Sequence, residues 1–366
     1  MSKTKEIKIA EPQIGSEEEN AVLKVLRSRK LSQGEKVAEF EILFSKYIGT
    51  KYAVAVSNGT CALHLSLLAL GIGKGDEAIT TPFSFIATAN AIRYTDATPI
   101  FSEIDPHTFN IDPKAIEKKI TRKTKAIMPV HLFGLPSEMD DIIKIAKKHK
   151  LFLIEDAAQA HGAKYKGKKV GSFGVGCFSF YSTKNMTTGE GGMITTNSKS
   201  IYEKLLLLRS HGMKRRYYNT SIGFNFRMTD IQASIGIEQL KKLPTFNKKR
   251  VQNAAMYSTL LKNVSGVFVP EVFGDKKHVY HQYSILFKNK KVRDSMRNFL
   301  SEHGVQSETY YPLPINEQVI YKGSGSFLIA HSISQRILSL PVHPGVNEKD
   351  ITYICDLISS FLSNKS

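Results

Sequence analysis

The sequence has few cysteines and no long apolar run. Its three cysteines, Cys61, Cys177 and Cys355, stand far apart among 366 residues and lack metal-ligand spacing. We therefore expect no disulfide framework and no metal site, and a reducing compartment suits the chain. No apolar run is long enough to span a bilayer, and the opening MSKTKEIKIAEP lacks the apolar stretch of a signal peptide. These absences predict a cytoplasmic protein without a membrane partner.

Acidic residues are also scarce, since 33 Asp and Glu face 51 Lys and Arg and leave a formal net charge of +18. Such a charge suits nucleic acid, an anionic membrane or an anionic small substrate. The basic residues are spread through segments such as KAIEKKITRKTK, where they alternate with apolar positions at helical spacing. Solvated faces of amphipathic helices are the simpler explanation, so charge alone does not name a partner.

Short apolar runs alternate with helical patterns between about residues 51 and 196. The predicted strands are 52–56, 77–81, 98–104, 125–131, 151–156, 177–181 and 192–196. Strand–helix–strand alternation of this kind predicts an α/β fold with a mostly parallel seven-stranded sheet covered by helices.

The chain beyond this region predicts a second, smaller domain. A helix pattern from Met228 is expected to stop at Pro244, and another helix is expected from Asn247 to about Lys262. Mixed strand and helix signals follow. We therefore divide the chain into a large domain, residues 1–249, which includes an N-terminal helical segment, and a small C-terminal α+β domain, residues 250–366.

The first candidate site segment is VSNGTCALHL, residues 56–65, where a strand ends, Asn58 and Gly59 turn, and a helix begins near Thr60. Free backbone N–H groups at a helix start form a site for phosphate. An ordinary helix cap gives the same pattern. The segment is neither a P-loop nor a dinucleotide fingerprint, so a dehydrogenase is not indicated.

The second segment is LFLIEDAAQAHGA, in which Glu155 and Asp156 close an apolar strand. Open α/β sheets bind ligands at this edge, and a carboxylate there needs a cationic or hydrogen-bonding partner. Such an acid binds a metal, acts as a base, holds a protonated ring nitrogen, or simply caps a helix. Metal binding is the least favoured of these functions, because no His or Cys residues are grouped nearby in the sequence.

The third segment, FSFYSTKNMTTGEGGM, sets Lys184 after an aromatic strand and before a glycine-rich turn. Partial desolvation pushes a lysine amine towards the neutral, nucleophilic form that a Schiff base requires. Alone, Lys184 is better explained as a snorkelling or paired lysine. Together, the three segments bring a phosphate site, a buried acid and an amine to one sheet edge, a combination that suits pyridoxal phosphate.

These segments, with GFNFRMTDIQASIGIEQL, resemble the DegT/DnrJ/EryC1/StrS sugar aminotransferases from about Glu11 to 338–344. The resemblance implies the aspartate-aminotransferase-like fold type I, with pyridoxal 5'-phosphate as cofactor and its pyridoxamine form as an intermediate. Each matching position then has an implied role. Lys184 forms the Schiff base and moves protons, Asp156 pairs with the ring nitrogen, Gln159 lies beside the ring and Phe85 stacks on it.

The resemblance further implies that Gly59, Thr60, Cys61 and Ser179 bind the phosphate. Asn225 matches a residue that reaches the phosphate from the neighbouring subunit, so a homodimer with shared active sites is expected.

For the substrates, the resemblance implies glutamate as amino donor and a nucleotide-diphosphate keto-deoxysugar as acceptor. HLFGLPSEMD and TTGEGGM are most similar to the 4-aminotransferase branch, so amination at C4 is expected. Arg227, His161 and Tyr311 are the candidate substrate contacts.

The sequence departs from the family pattern at some positions and is compatible with other functions. Lysine at position 184 favours transamination, because relatives that deoxygenate sugars carry histidine there. Ile315, Asn316 and His331 depart from common family residues, so the family's substrate contacts at these positions are not transferred to this chain. A cofactor-binding sensor without turnover, a C3-aminotransferase, and a nucleic-acid-binding protein on a degenerate enzyme scaffold are the other hypotheses. The last of these rests on net charge alone.

Overall fold

The computed structural model describes residues 6–363. Residues 1–5 and 364–366, the outer ends of the two predicted domains and part of the opening segment MSKTKEIKIAEP, lie outside the described residues. The α-helices within residues 6–363 are α1 Ser16–Ser28, α2 Glu35–Ile48, α3 Gly59–Ala69, α4 Ala87–Arg93, α5 Pro113–Ile116, α6 Met139–His149, α7 Lys199–Arg209, α8 Asp230–Leu261, α9 Lys290–Glu302, α10 Leu328–Arg336 and α11 Glu348–Ser363. None of them combines the length and apolarity needed to cross a membrane.

The strands of the described residues form one large sheet and three small ones. They are β1 Tyr52–Val56, β2 Glu77–Thr80, β3 Thr98–Phe101, β4 Thr124–Ile127, β5 Phe152–Asp156, β6 Lys164–Tyr165, β7 Lys168–Lys169, β8 Val175–Ser179, β9 Gly192–Thr196, β10 Met213–Arg215, β11 Tyr218–Asn219, β12 Val267–Phe268, β13 Lys276–Lys277, β14 Tyr283–Phe287 and β15 Ile337–Leu340.

The large sheet has seven strands in the spatial order β1-β9-β8-β5-β4-β2-β3. Six strands run parallel, and β9 runs antiparallel to both of its neighbours. The predicted α/β fold with a mostly parallel seven-stranded sheet is therefore confirmed. The strands predicted at 98–104 and 125–131 end sooner than expected, at Phe101 and Ile127.

Helices cover both faces of this sheet. On one face, Phe40 and Phe44 of α2 pack against Phe178 and Phe180, with ring centroids 5.0 to 5.4 Å apart. On the other face, apolar residues of α3 and α7 pack against β1, β8 and β9. Burial on both faces explains why these strands read as nearly continuous apolar runs.

A second core lies in the C-terminal part of the chain. The sheet β12-β14-β15 packs there with α9, α11 and the last turns of α8. Helix α8 contributes Ile237 and Leu243 to the core between α2 and the large sheet, which is the first core. It contributes Ala254 and Tyr257 to the second. The predicted domain boundary near residue 250 thus falls inside a helix that both cores share, and the division into two domains remains a prediction.

The predicted helix break at Pro244 is wrong, because α8 runs unbroken from Asp230 to Leu261 with Pro244 inside it. A proline in a helix interior removes one hydrogen bond and costs roughly 3 kcal/mol. Buried residues on both sides, including Leu240, Leu243 and Asn247, hold the helix in place. Tertiary packing therefore outweighs the local penalty.

Candidate active site

Asp156 stands at the end of β5, which pairs in parallel with β8 so that Asp156 faces Cys177. The carboxylate is only 4% exposed. The Thr88 hydroxyl donates to its Oδ2 at 2.8 Å, and the Ala158 N–H donates to its Oδ1 at 3.2 Å. Burial raises the pKa of the Asp156 carboxyl, and these two donors only partly oppose that rise. Each oxygen keeps a lone pair for a further donor.

Lys184 lies in a turn beyond the end of β8, where its N–H donates to the Tyr181 carbonyl at 2.9 Å. Burial lowers the pKa of its amine from 10.5 to about 8, and the nearby Asp156 carboxylate opposes this shift. At pH 7 about a tenth of such an amine is neutral, against about 0.03% for an ordinary lysine. The structure therefore gives Lys184 the partial desolvation that the sequence suggested.

The start of α3 lies beside the end of β8. The Asn58 side chain caps the helix by accepting from the Cys61 N–H at 2.9 Å. The N–H groups of Gly59 and Thr60 belong to the first turn and have no intrahelical acceptor. A Cβ placed on Gly59 would stand 2.7 Å from the Ser179 Cβ. Gly59 and Ser179 thus lie in contact, and Thr60 follows Gly59 in the first turn of α3, while the Cys61 N–H is already used by the cap. Their binding of a phosphate remains a prediction.

Gln159 connects the large sheet to the C-terminal lobe. Its Oε1 accepts from the Phe133 N–H at 2.8 Å, and its Nε2 donates to the Tyr311 hydroxyl at 3.0 Å. The Tyr311 ring lies 6.4 Å from the Phe85 ring, measured between centroids. Phe85 is 58% exposed although it is a large aromatic residue. The ring of Phe85 and the amide of Gln159 therefore border the same space as the Asp156 carboxylate and the Lys184 amine.

His161 is a predicted substrate contact that the structure does not support. Its side chain is 0% exposed, and its ring lies 5.5 Å from that of Phe178 and 5.7 Å from that of Phe180. Among the described residues 6–363, neither ring nitrogen finds a hydrogen-bond partner. Burial lowers the pKa of His161 to about 3, so the ring is neutral. It faces the aromatic core and offers no surface to a substrate.

Asn225 and Arg227 flank Phe226. The Phe226 carbonyl accepts from the Ser57 N–H at 2.9 Å, and this hydrogen bond fixes the segment beside the start of α3. Asn225 is exposed in the single chain, and Arg227 is partly buried. Their predicted contacts, to a partner subunit and to a substrate, remain predictions.

Two functional details escaped the sequence interpretation. Thr88 follows Phe85 by three residues in PFSFIATAN, and that spacing was the only signal that it shares the site. Glu155, the neighbour of Asp156, points to the opposite side of the strand. It is fully buried and accepts from the N–H groups of Gly171, Phe173 and Gly174 at 2.7 to 2.9 Å. Glu155 therefore holds the loop before β8 rather than a ligand.

These residues fit pyridoxal phosphate. Unpaired N–H groups at a helix start, next to a serine hydroxyl, suit a phosphate. A buried carboxyl of raised pKa suits a basic ring nitrogen, and an amine of lowered pKa suits an aldehyde. Within residues 6–363, no group of three or more His, Cys, Asp or Glu side chains is placed to hold a metal ion.

The chain matches a known protein family over most of its length. Residues 12–359 match the sequence profile of the DegT/DnrJ/EryC1/StrS aminotransferase family. The protein is thus an aminotransferase, and it belongs to this family, as the motifs predicted. Membership implies pyridoxal phosphate as the cofactor.

Individual relatives agree along nearly the whole chain. GDP-perosamine synthase from Escherichia coli O157:H7 is 40% identical and covers 99% of this chain and 100% of its own. A dTDP-3-amino-3,6-dideoxy-alpha-D-galactopyranose transaminase from Aneurinibacillus thermoaerophilus is also 40% identical over 94% of both chains. The crystal structure of DesV from S. venezuelae superposes with a TM-score of 0.95 at 33% identity, over 98% of this chain and 99% of that one. The fold and the family are both confirmed.

Proposed function

We propose that the protein transfers an amino group from glutamate to C4 of a nucleotide-diphosphate keto-deoxysugar, with pyridoxal phosphate held as a Schiff base on Lys184. The observation that carries this proposal is the convergence of three features at one sheet edge. Lys184 has an amine of lowered pKa, Asp156 is a buried acid, and α3 begins beside Ser179 with unpaired N–H groups.

The start of α3 would hold the phosphate. The N–H groups of Gly59 and Thr60 point away from the helix and have no internal acceptor. The positive end of the helix dipole favours an anion at this place. Ser179 adds a hydroxyl, and Gly59 lets that residue approach because a Cβ would collide with it. Cys61 contributes less, since Asn58 already accepts from its N–H.

The ring would lie between Asp156 and Phe85. Asp156 would share a proton with the ring nitrogen, while Thr88 orients its carboxylate through the 2.8 Å hydrogen bond. The exposed face of Phe85 would cover the ring, and Gln159 would lie beside its phenolic oxygen. The bound cofactor supplies a carbonyl that condenses with amines and a ring that takes up electron density from the reacting carbon.

Lys184 would move the proton. A base works best when its pKa is near the working pH, because it can then both accept and return a proton. The Lys184 amine, with a pKa of about 8, satisfies this condition at its Nζ. Once Nζ is released by the incoming amine of glutamate, it would take a proton from the donor carbon and later return one to the sugar carbon.

A nucleotide-linked sugar is the acceptor that the relatives support, since two of them are named for GDP- and dTDP-linked sugars. Both are 40% identical to this chain, so identity does not choose the nucleotide. The choice of C4 rests on the resemblance of HLFGLPSEMD and TTGEGGM to the 4-aminotransferase branch. Arg227 would contact the diphosphate, and Tyr311 would contact the sugar beside Gln159.

The working unit would be a homodimer. Asn225 is exposed in the single chain although it lies next to a segment that packs against the start of α3. In a dimer with shared active sites, this side chain would reach the phosphate of the partner subunit.

A mass-spectrometric screen tests the reaction. Protein, pyridoxal phosphate and glutamate are incubated with 3-keto and 4-keto deoxysugars linked to dTDP, UDP or GDP, with Lys184→Ala as the control. We expect one 4-keto sugar to gain an amine, and no conversion in the control. Conversion of a 3-keto sugar alone would refute the C4 assignment. A protein that binds cofactor on Lys184 but converts no ketone would favour the sensor.

A further inference from the structure

Asn185 follows the proposed Schiff-base lysine directly and is buried, at 3% exposure. Its Nδ2 donates to the Asn247 Oδ1 at 2.9 Å and to the Val279 carbonyl at 3.1 Å. Its Oδ1 lies 3.2 Å from the His281 Nδ1. Residues 181–188, which contain Lys184, are called the Lys184 turn. The short side chain of Asn185 therefore joins this turn to helix α8 and to the segment before β14.

The hydrogen bonds of this group have a single consistent arrangement. The Val279 carbonyl only accepts, so the amide nitrogen of Asn185 must face it. The Asn185 Oδ1 then faces His281, whose Nδ1 must carry the proton. Burial, together with the nearby Lys184 and Arg250 charges, lowers the pKa of His281 well below its usual value, so the ring is neutral. A neutral ring protonated on Nδ1 is the form that this network requires.

The network continues into the part of the site that carries the acid. The Asn247 Nδ2 donates to the His161 carbonyl at 2.7 Å, five residues after Asp156. The Val279 N–H donates to the Gly134 carbonyl at 3.1 Å, next to Phe133, whose N–H binds Gln159. The Lys184 turn is thus anchored to the elements that also hold the other predicted cofactor residues.

We propose that Asn185 is a positioning residue that, through His281 and Asn247, holds the Lys184 turn in register with the rest of the site. This inference rests on the proposed function. Consecutive Cα atoms stand 3.8 Å apart, so fixing Asn185 fixes the base of the flexible lysine side chain. Thr187 makes one hydrogen bond within the β8–β9 connection, from its hydroxyl to the Phe180 carbonyl, and one to α8, from its N–H to the Gln239 Oε1 at 3.3 Å. Those bonds lie three residues beyond Lys184, whereas Asn185 is the residue next to it. A misplacement of about 1 Å can cost on the order of a hundredfold in rate.

Asn253 supplies a matched control. Like Asn185, it is a buried asparagine, at 2% exposure, but it lies on α8. Its Nδ2 lies 3.2 to 3.4 Å from the carbonyls of Val342, His343 and Val346. Asn185→Ala and Asn253→Ala should therefore lose similar stability. The hydrogen bonds of Asn253 go to the segment after β15, and within residues 6–363 none joins Asn253 to the Lys184 turn, so only the first change should alter the lysine.

The test has two measurements. The first is how fast pyridoxal phosphate reloads each cofactor-free protein on Lys184 as a function of pH. The second is the kcat and KM for glutamate during turnover with the keto sugar that the wild type converts. In Asn185→Ala the loosened turn admits water, so the amine pKa should rise by about one unit. Its kcat should fall at least about tenfold with KM changed less than about threefold. Asn253→Ala should leave the amine pKa and kcat as in the wild type.

A second pair keeps the inference testable if Asn185→Ala fails to fold. His281→Asn retains a donor where Nδ1 stood and should preserve the amine pKa, whereas His281→Leu should raise it. A purely structural role would be shown if Asn185→Ala or His281→Leu lost stability without changing the amine pKa or kcat. An equal shift in Asn253→Ala would likewise overturn the inference. Wild-type protein that captures no cofactor on Lys184 would instead refute the proposed function.

Discussion

Gly59→Ala tests the phosphate site most directly, because it adds a single carbon at the start of α3. That Cβ would lie 2.7 Å from the Ser179 Cβ and 3.2 Å from both the Ser179 Cα and Oγ. Carbon atoms prefer a separation of about 3.5 to 4.0 Å, so helix and strand end must separate by nearly 1 Å. The Ser179 backbone belongs to a central strand and cannot turn away as a flexible side chain would.

Two opposing effects set the size of the change. Alanine favours a helix over glycine by at most about 1 kcal/mol, and less at its first residue. Overpacking a well-filled site costs about 1 to 3 kcal/mol. The collision should therefore win, and the free energy of unfolding should fall by about 1 to 2 kcal/mol. Moving the N–H groups of the helix start also weakens a hydrogen bond to an anion, which is worth about 1.5 to 3 kcal/mol. The Kd for pyridoxal phosphate should rise on the order of ten- to a hundredfold.

The assay combines denaturant unfolding with fluorescence titration of the cofactor, and Gly73→Ala serves as the control. A Cβ on Gly73 would meet only the Thr95 carbonyl at 3.6 Å, an ordinary contact. That variant should keep both its stability and its Kd. If Gly59→Ala bound the cofactor as tightly as Gly73→Ala does, the start of α3 would not be the phosphate site.

Three further predictions concern the acid, its neighbour and the amine. Thr88→Val removes a donor to Asp156 and should further raise the carboxyl pKa, which burial already raises. The acid limb of the kcat–pH profile should therefore move to higher pH, and an unmoved limb would contradict this prediction. Glu155→Gln places an amide against backbone donors and should cost about 1 to 3 kcal/mol in urea unfolding. A loss below about 0.5 kcal/mol would show that the carboxylate is dispensable. The rate of cofactor capture by Lys184 should rise with pH and reach half its maximum near pH 8, since only the neutral amine attacks; a midpoint near 10.5 would mean that the amine is fully solvated.

The local patterns of the sequence predicted much of the fold. The seven predicted strands all lie in one sheet, because apolar runs buried on both faces leave a strong signal. The order of those strands was not predictable from such runs, since β9 inserts antiparallel between its chain neighbour β8 and β1, which lies far away in the sequence. Local rules also predicted a helix end at Pro244, where packing on both sides keeps α8 continuous.

The candidate site divides in the same way. Lys184, Asp156 and the helix start at Gly59 were identified from the sequence, because each sits at a strand end whose residue types already suggest chemistry. His161 belonged to the same motif, yet the structure buries it between aromatic rings. Asn185 carried no signal at all, because a single polar residue next to a lysine reads as an ordinary turn.

The sequence by itself therefore determined the family and the strand segments. It also determined which residue types supply a phosphate site, an acid and an amine. The tertiary structure alone decided which of these meet, how far the Lys184 amine and the Asp156 carboxyl are desolvated, and what anchors the lysine turn. The physical reason is that a pKa depends on every group around the site and on the water excluded from it. Those groups come from segments far apart in the chain, and only the folded structure brings them together.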